Sequence, residues 1–312
     1  MQMKRLLATL AAAGLMASGS AQAQDYPCDG VEWIVGWGAG GGSDVFARSI
    51  APAVSEELGV PVTVLNMPGA SSITAMQEVL NRPSDACTIF SITPDQLTNE
   101  LTGLTEESYE TLTPVMRAHV DLGMIHGQAG SEFDTWEKLT SASRPVLVGG
   151  TGAASFDEIV VEIVMGETGV EYRYIPYEDA STMHADLLGG RLDAIYEEVS
   201  VVGSMIEADQ VEPLLVLGES RLDQYPDVPA AGELDLPVPP ALWRGVAVKA
   251  GTDEAAVAML EEAFLKAAES EAYQSFEQER MLDLTEGRMG ADDFAELLAR
   301  EHDMYSRVIG DQ

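Results

Sequence analysis

The stretch VGWGAGGGSD, residues 35–44, closes an apolar run (VEWIVGW, 31–37) and opens a segment with helical periodicity. A strand that dissolves into glycines and re-forms as a helix is the turn at which α/β proteins hold anions. Glycine lets the backbone turn successive N–H groups inward, and the helix adds the positive end of its dipole. Ser43 or Asp44 is expected to cap that helix.

Three ligands compete for such a loop. Gly36-Trp37-Gly38-Ala39-Gly40-Gly41 formally satisfies the dinucleotide fingerprint, but the next strand, 61–66, ends at Asn66 where that site needs an acid for the ribose. A phosphate P-loop fails because Gly42 stands where its lysine belongs, although Gly36 and Gly41 have the right spacing. What survives is an amide cradle suited to a carboxylate, and no cofactor is expected. A second loop of the same kind, GGTGAAS at 149–155, follows another apolar run. Ligands of open parallel sheets sit beyond the carboxyl ends of the strands, so the two loops are expected to face one cleft.

Outward from the first loop the pattern alternates strand 31–37, helix 44–58, strand 61–66, helix 71–81 and strand 86–92, the signature of a parallel sheet with helices on its faces. Pro52 lies inside the first helix and should kink it or cost about 3 kcal/mol. Residues 95–142 read as a connector. A second run follows: strand 145–149, helix 154–167, strand 171–175, helix 179–189, strand 191–196, helix 200–208 and strand 211–217. YPDVPAAGELDLPVPP (225–240) then reads as a surface path back to the first unit. The tail 253–308 is helical by period, with Val257, Leu260, Ala263 and Phe264 on the face that should pack on the first lobe. The expected architecture is α/β with two lobes, each a mostly parallel sheet flanked by helices and the ligand between them. The first lobe comprises 24–118 plus 243–312 and the second 119–242.

Residues 1–23 have the layout of a signal peptide: Lys4 and Arg5, the apolar run Leu6–Met16, and Ala21-Gln22-Ala23 before the expected cleavage after Ala23. That run is shorter than the roughly 20 residues a spanning helix needs. Export to the periplasm is the expectation. Cys28 and Cys87 are then expected to pair in the oxidising compartment, since each precedes a strand at the same sheet edge; two free buried thiols are the competing reading. The formal net charge of −35 argues against nucleic acid and anionic membranes. Spread along the whole chain, it reads as a solvated surface, and a monomer is expected.

Catalytic patterns are sparse. The four histidines, 119, 126, 184 and 302, form no H-E-x-x-H and no Cys/His cluster. His119 and His126, with Asp121 between them, read as a structural pair. None of Ser43, Ser71, Ser155 and Ser204 sits in a G-x-S-x-G elbow, and Ser43 and Ser155 read as caps or ligand donors. Glu197-Glu198 ends a strand on the cleft side without a recognisable histidine partner and reads as a cleft-edge pair that shapes specificity or is merely solvated, rather than an acid/base pair.

VGWGAGGGSDVFAR (35–48), VLNMPGA (64–70), VGGTGAAS (148–155), IPYEDAS (175–181), LLGGRLDAIYEE (187–198) and RLDQYPDVPAAGEL (221–234) together resemble, in order, the motifs of the extracytoplasmic solute receptors of tripartite tricarboxylate transporters, the Bug or TctC-type proteins. The resemblance implies a type II periplasmic-binding-protein fold that closes on a small organic carboxylate and delivers it to membrane transporter subunits, without catalysis. It implies ligand donors from Gly38, Ala39, Gly40, Gly41, Gly42 and Ser43, with Asp44 beside them, and from Thr151, Gly152, Ala153 and Ser155. Trp37 would stand on the cleft wall where the family commonly has Phe, and Thr93 and Glu197 at the strand ends complete the expected set. SDACT (84–88), VKAGTDE (248–254) and GASS (69–72) depart from the family pattern. The alternatives are a sensor feeding a membrane kinase and a secreted α/β hydrolase using Ser43 or Ser155.

Overall fold

The computed structural model describes residues 26–310. The expected signal peptide therefore lies outside the described residues. In chain order the elements are β1 (Val31–Val35), α1 (Gly42–Leu58), β2 (Val62–Asn66), α2 (Ile73–Asn81), β3 (Thr88–Ile92), α3 (Asp95–Leu101), β4 (Leu112–Asp121) and β5 (Gly123–Gln128). They continue as α4 (Trp136–Thr140), β6 (Val146–Thr151), α5 (Phe156–Gly166), β7 (Tyr172–Tyr177), α6 (Ala180–Leu188), β8 (Ala194–Glu198), α7 (Val199–Glu207) and β9 (Val211–Val216). The chain closes with β10 (Leu242–Lys249), α8 (Glu254–Ala268), α9 (Glu271–Glu279), β11 (Met289–Gly290) and α10 (Ala291–Gly310).

These strands form two sheets, ordered β11-β4-β10-β3-β1-β2 and β7-β6-β8-β5-β9. Each is mixed. β1 runs parallel to β2 and β3, whereas β10 is antiparallel to β3 and β4. In the second sheet β6 runs parallel to β7 and β8, while β5 is antiparallel to β8 and β9. The chain passes from one sheet to the other at Leu122, between β4 and β5, and returns before β10.

The stretch 95–142 is thus not a connector: it carries α3, both crossing strands and α4. Pro114, Arg117, His119 and Asp121 interrupt the apolar pattern of β4, yet Arg117, His119 and Asp121 are buried and satisfied by tertiary partners rather than by solvent. α1 runs unbroken through Pro52, which faces solvent, where water can hydrate the carbonyl a turn earlier that the missing N–H leaves unpaired.

Trp33 anchors the first core. It is fully buried, meets Phe46 and Phe264 edge to face at 5.4 and 5.2 Å, and donates from Nε1 to Ser91 Oγ at 2.9 Å. Phe264, Leu260 and Ala263 on α8 supply that contact, so the tail packs on the first sheet as its periodicity predicts. Cys28 and Cys87 are joined in a disulfide just ahead of β1 and β3, which are neighbours. Among the described residues no helix is long and apolar enough to cross a membrane.

Candidate functional site

The carboxyl ends of β1, β3, β6 and β8 converge on a cavity of about 40 Å³ between the two sheets. Trp37, Gly38, Gly41, Gly42, Ser43, Thr93, Thr151 and Glu197 line it, as the sequence leads one to expect. Ala39, Gly40, Asp44, Gly152, Ala153 and Ser155 do not: Asp44, Gly152 and Ser155 are buried away from it, and Ala39, Gly40 and Ala153 are exposed at the surface.

In the first loop Asp44 turns back. Its Oδ2 accepts the Gly40 N–H at 2.9 Å and its Oδ1 receives Arg48 Nε at 2.7 Å. Gly40 therefore has no free donor and serves the turn instead, at φ +85°. The residue capping α1 is Gly41, which has no side chain to accept from the first turn, so neither Ser43 nor Asp44 caps it as expected. The consequence is an open helix start: the N–H groups of Gly42 and Ser43 meet no acceptor among the described residues and stand at the cavity. This is the geometry that binds an anion at the start of a helix. Gly42 is fixed by its neighbour, since a Cβ there would lie 1.9 Å from Arg244 Nη2.

The second loop looks alike in sequence and differs in bonding. Asp157 Oδ2 takes both the Thr151 N–H (2.8 Å) and its hydroxyl (2.7 Å). Gly152 N–H goes to Tyr177 O, and Ala154 N–H to Glu158 Oε2. Ser155 Oγ accepts from Glu158 N at 3.3 Å, the capping role expected of it, and Phe156 N–H crosses to Asp95 Oδ1 at 3.0 Å. Of the four residues expected to donate from this loop, Thr151 and Gly152 are thus already engaged by the chain's own oxygens, whereas the Ala153 and Ser155 N–H groups meet no acceptor among the described residues.

Sequence reasoning missed the cation at the centre. Arg244 on β10 is buried, donating Nη1 to Asp121 Oδ2 at 2.5 Å and Nη2 to Glu198 Oε2 at 2.7 Å, which ties the first sheet to the second. A register shift between Arg244 and Gly245 changes its pairing with β4 at this point. The legible signal was a lone arginine inside an otherwise apolar strand, LWRGVAVK. Asp95, Asp157, Glu178, Asp179, Ala180 and Leu242 also line the cavity without having been singled out.

The expectation that Glu197 lacks a histidine partner is corrected. His184 Nε2 on α6 lies 2.9 Å from Glu197 Oε2 at the end of β8. Glu198 is no solvated edge residue either, being 3% exposed. His119 and His126 do not form a pair: they belong to different sheets, His119 Nδ1 meeting Tyr273 Oη at 3.2 Å and His126 Nε2 meeting Glu197 O at 3.2 Å.

The site is electrostatically loaded. Burial pushes the Asp157 carboxyl well above the usual carboxylate range, with Asp95 adding to it, and burial likewise raises Asp95, Asp121 and Glu198. Burial also opposes the charge of Arg244, but Glu198 and Asp121 outweigh it and hold the guanidinium ionised. Burial lowers His126 to about 4; its Nδ1 has no partner, so a second ring proton would be stranded.

The two sheets meet closely around this cavity. Ser71 Oγ donates to Ala153 O at 2.9 Å, and a Cβ on Gly38 would lie 2.6 Å from Asp179 Cβ. A mixed sheet on either side of a ligand-sized cleft, with a strand crossing near its base, is the plan of a type II periplasmic binding protein. The family profile described as tripartite tricarboxylate transporter family receptor matches residues 46–312. The chain belongs to that family. Its members are solute receptors, not enzymes. Protein BugT of Bordetella pertussis is 29% identical over 286 residues, covering 87% of each chain. A Rhodopseudomonas palustris protein solved with adipate superposes with a TM-score of 0.84 at 25% identity, covering 91% of this receptor and 97% of that chain. A Polaromonas TctC solute-binding protein solved without ligand gives 0.65 at 27% identity, covering 92% and 100%.

Proposed function

We propose that this receptor is exported to the periplasm after loss of residues 1–23, closes on a small organic carboxylate and delivers it to the membrane subunits of a tripartite transporter. The observation that carries the reading is the open start of α1, where Gly42 and Ser43 present unpaired N–H groups to the cleft between the sheets. With a net charge of −35 the surface offers an anion no long-range attraction, so affinity must come from local donors, and main-chain amides supply them without added charge. The relative solved with adipate supports the same ligand class.

In this reading two lobes, divided at Leu122 and ahead of β10 rather than at 118/119 and 242/243, which fall inside β4 and β10, move against one another as the ligand enters. The TM-scores support such a movement: the unliganded relative superposes less well than the adipate-bound one despite slightly higher identity, as a different angle between lobes would produce. Trp37, half-buried on the cavity wall, would sense closure. The protein is a monomer in this scheme and carries no cofactor.

A thermal-shift screen of the purified mature chain against short mono-, di- and tricarboxylates tests the proposal. A ligand at about 100 times its Kd adds about 2.7 kcal/mol of stability, enough to raise Tm visibly. A panel in which no carboxylate raises Tm, or in which one is chemically consumed, would overturn it.

A further inference from the structure

Away from the ligand cavity, a second groove of about 510 Å³ lies among β4, α5, α10 and the segment that enters β10. The strand separates the two. Leu242 and Arg244 line the ligand cavity, while Ala241 and Trp243 line the groove, as alternation along an extended chain requires. The groove wall is apolar, made by Ile163, Val238, Pro239, Trp243 and Met304. Val238 and Met304 are large hydrophobic side chains, yet each is 36% exposed. The volume falls within the roughly 300–1,000 Å³ of small-molecule sites, which are likewise mostly apolar with a few placed polar groups.

The placed polar group is Arg117, which lines this groove and is 6% exposed. Its guanidinium meets one acceptor among the described residues, Gly287 O, through Nε. Nη1 and Nη2 donate to no described residue. Glu301, the one acid in the lining, is committed elsewhere: its Oε2 accepts Trp243 Nε1 at 2.6 Å, and it forms no ion pair with Arg117. Burial works against the charge of Arg117 and raises the Glu301 carboxyl, so the pair does little to neutralise itself. A buried fork of N–H groups without an acceptor is costly, and a carboxylate is the group that fits it two bonds at a time.

We propose that this groove is a second ligand site, for an amphipathic monocarboxylate that sets its carboxylate on Arg117 Nη1 and Nη2 and lays an aliphatic or aryl chain along Trp243, Met304 and Val238. A short di- or tricarboxylate does not suit it, because the second charge would be buried against hydrocarbon. The site stands independently of the receptor reading, since none of its residues belongs to the glycine loops.

Amide and indole NMR of the ¹⁵N-labelled mature chain tests it, with octanoate, octanol and octylammonium as probes and the Trp243 indole assigned by its loss in Trp243→Phe. Octanoate should shift the Trp243 indole and the Ala241 and Trp243 amides saturably, binding about tenfold or more tightly than octanol, with octylammonium weaker still. Met304→Glu, a change at an exposed position, should weaken octanoate about tenfold while the Gly42 and Ser43 resonances stay as in the parent. Arg117→Gln should erase the preference for octanoate over octanol while octanol binding holds; if that variant does not fold, the probe series and Met304→Glu decide alone. Octanoate shifts confined to Gly42 and Ser43, octanol binding as tightly as octanoate, a folded Arg117→Gln that keeps the preference, or unchanged octanoate affinity in Met304→Glu would each overturn the second site.

Discussion

Two loops of nearly the same composition, 38–43 after β1 and 151–155 after β6, differ in how far the chain's own acceptors engage their N–H groups. Both follow a parallel strand, both are rich in glycine and alanine, and both open a helix. At the first, Asp44 engages Gly40 and leaves Gly42 and Ser43 unpaired; at the second, Asp157, Glu158 and Asp95 take the N–H groups of Thr151, Ala154 and Phe156. A glycine-rich strand-to-helix turn creates a demand for negative charge, and the demand is met by a ligand only where the chain does not meet it first.

The comparison can be broken most violently at Arg244, which buttresses the first loop and bonds Glu198 from the second sheet. Arg244→Met leaves Asp121 and Glu198 buried without their cation and should cost about 3–5 kcal/mol in urea unfolding at neutral pH. A loss under about 1 kcal/mol would mean that the carboxyls already hold protons and do not need it.

The second region is probed by pH. His126 titrates at about 4 when folded against about 6.5 when unfolded, so the unfolded chain binds the extra proton first and stability falls as pH drops through that window. Between pH 7 and pH 4.5 the parent should lose about 2–3 kcal/mol relative to His126→Leu, read from urea midpoints. Parallel pH profiles would contradict the buried, neutral ring. The raised Asp157 carboxyl works in the other sense, its contribution being full below the usual carboxylate range and lost as pH rises.

Gly42→Ala separates the loops through binding. Its Cβ must displace the Arg244 guanidinium, and ligand affinity should drop by about 2 kcal/mol or more in calorimetry. Unchanged affinity in a folded Gly42→Ala protein would remove the first loop from the site.

The smallest expected effects are the most diagnostic. Ser155→Ala removes a helix cap and should cost about 1 kcal/mol of stability with binding unchanged. Ser43→Ala caps nothing and should cost about 1 kcal/mol of binding with stability unchanged. Exchange of the two outcomes would reverse the roles assigned to the loops.

Much of this was legible in the sequence. Strand-to-helix alternation located the parallel parts of both sheets, the paired cysteines marked two neighbouring strands, and the glycine runs marked the loops that meet at the cleft. What stayed hidden depends on residues far apart in the chain. Phe156 N–H finds Asp95 and Arg244 finds Asp121, contacts across 61 and 123 positions that no local pattern encodes. β4 and β10 escaped because buried charges broke their apolar runs. The local sequence around the second loop did carry a warning: Asp157 and Glu158 in the first turn of α5 are acids placed where helix N–H groups seek acceptors.

The central claim is that the start of α1 is an open anion cradle while the Thr151, Gly152 and Ala154 amides of the second loop are already engaged, and amide NMR of the ¹⁵N-labelled chain, titrated with the tightest carboxylate ligand, reads it residue by residue. The Gly42 and Ser43 amide protons should move strongly downfield as they acquire an acceptor, while those of Thr151, Gly152 and Ala154 keep the bonds they already have. Large shifts at Thr151, Gly152 and Ala154 with Gly42 and Ser43 unmoved would contradict it.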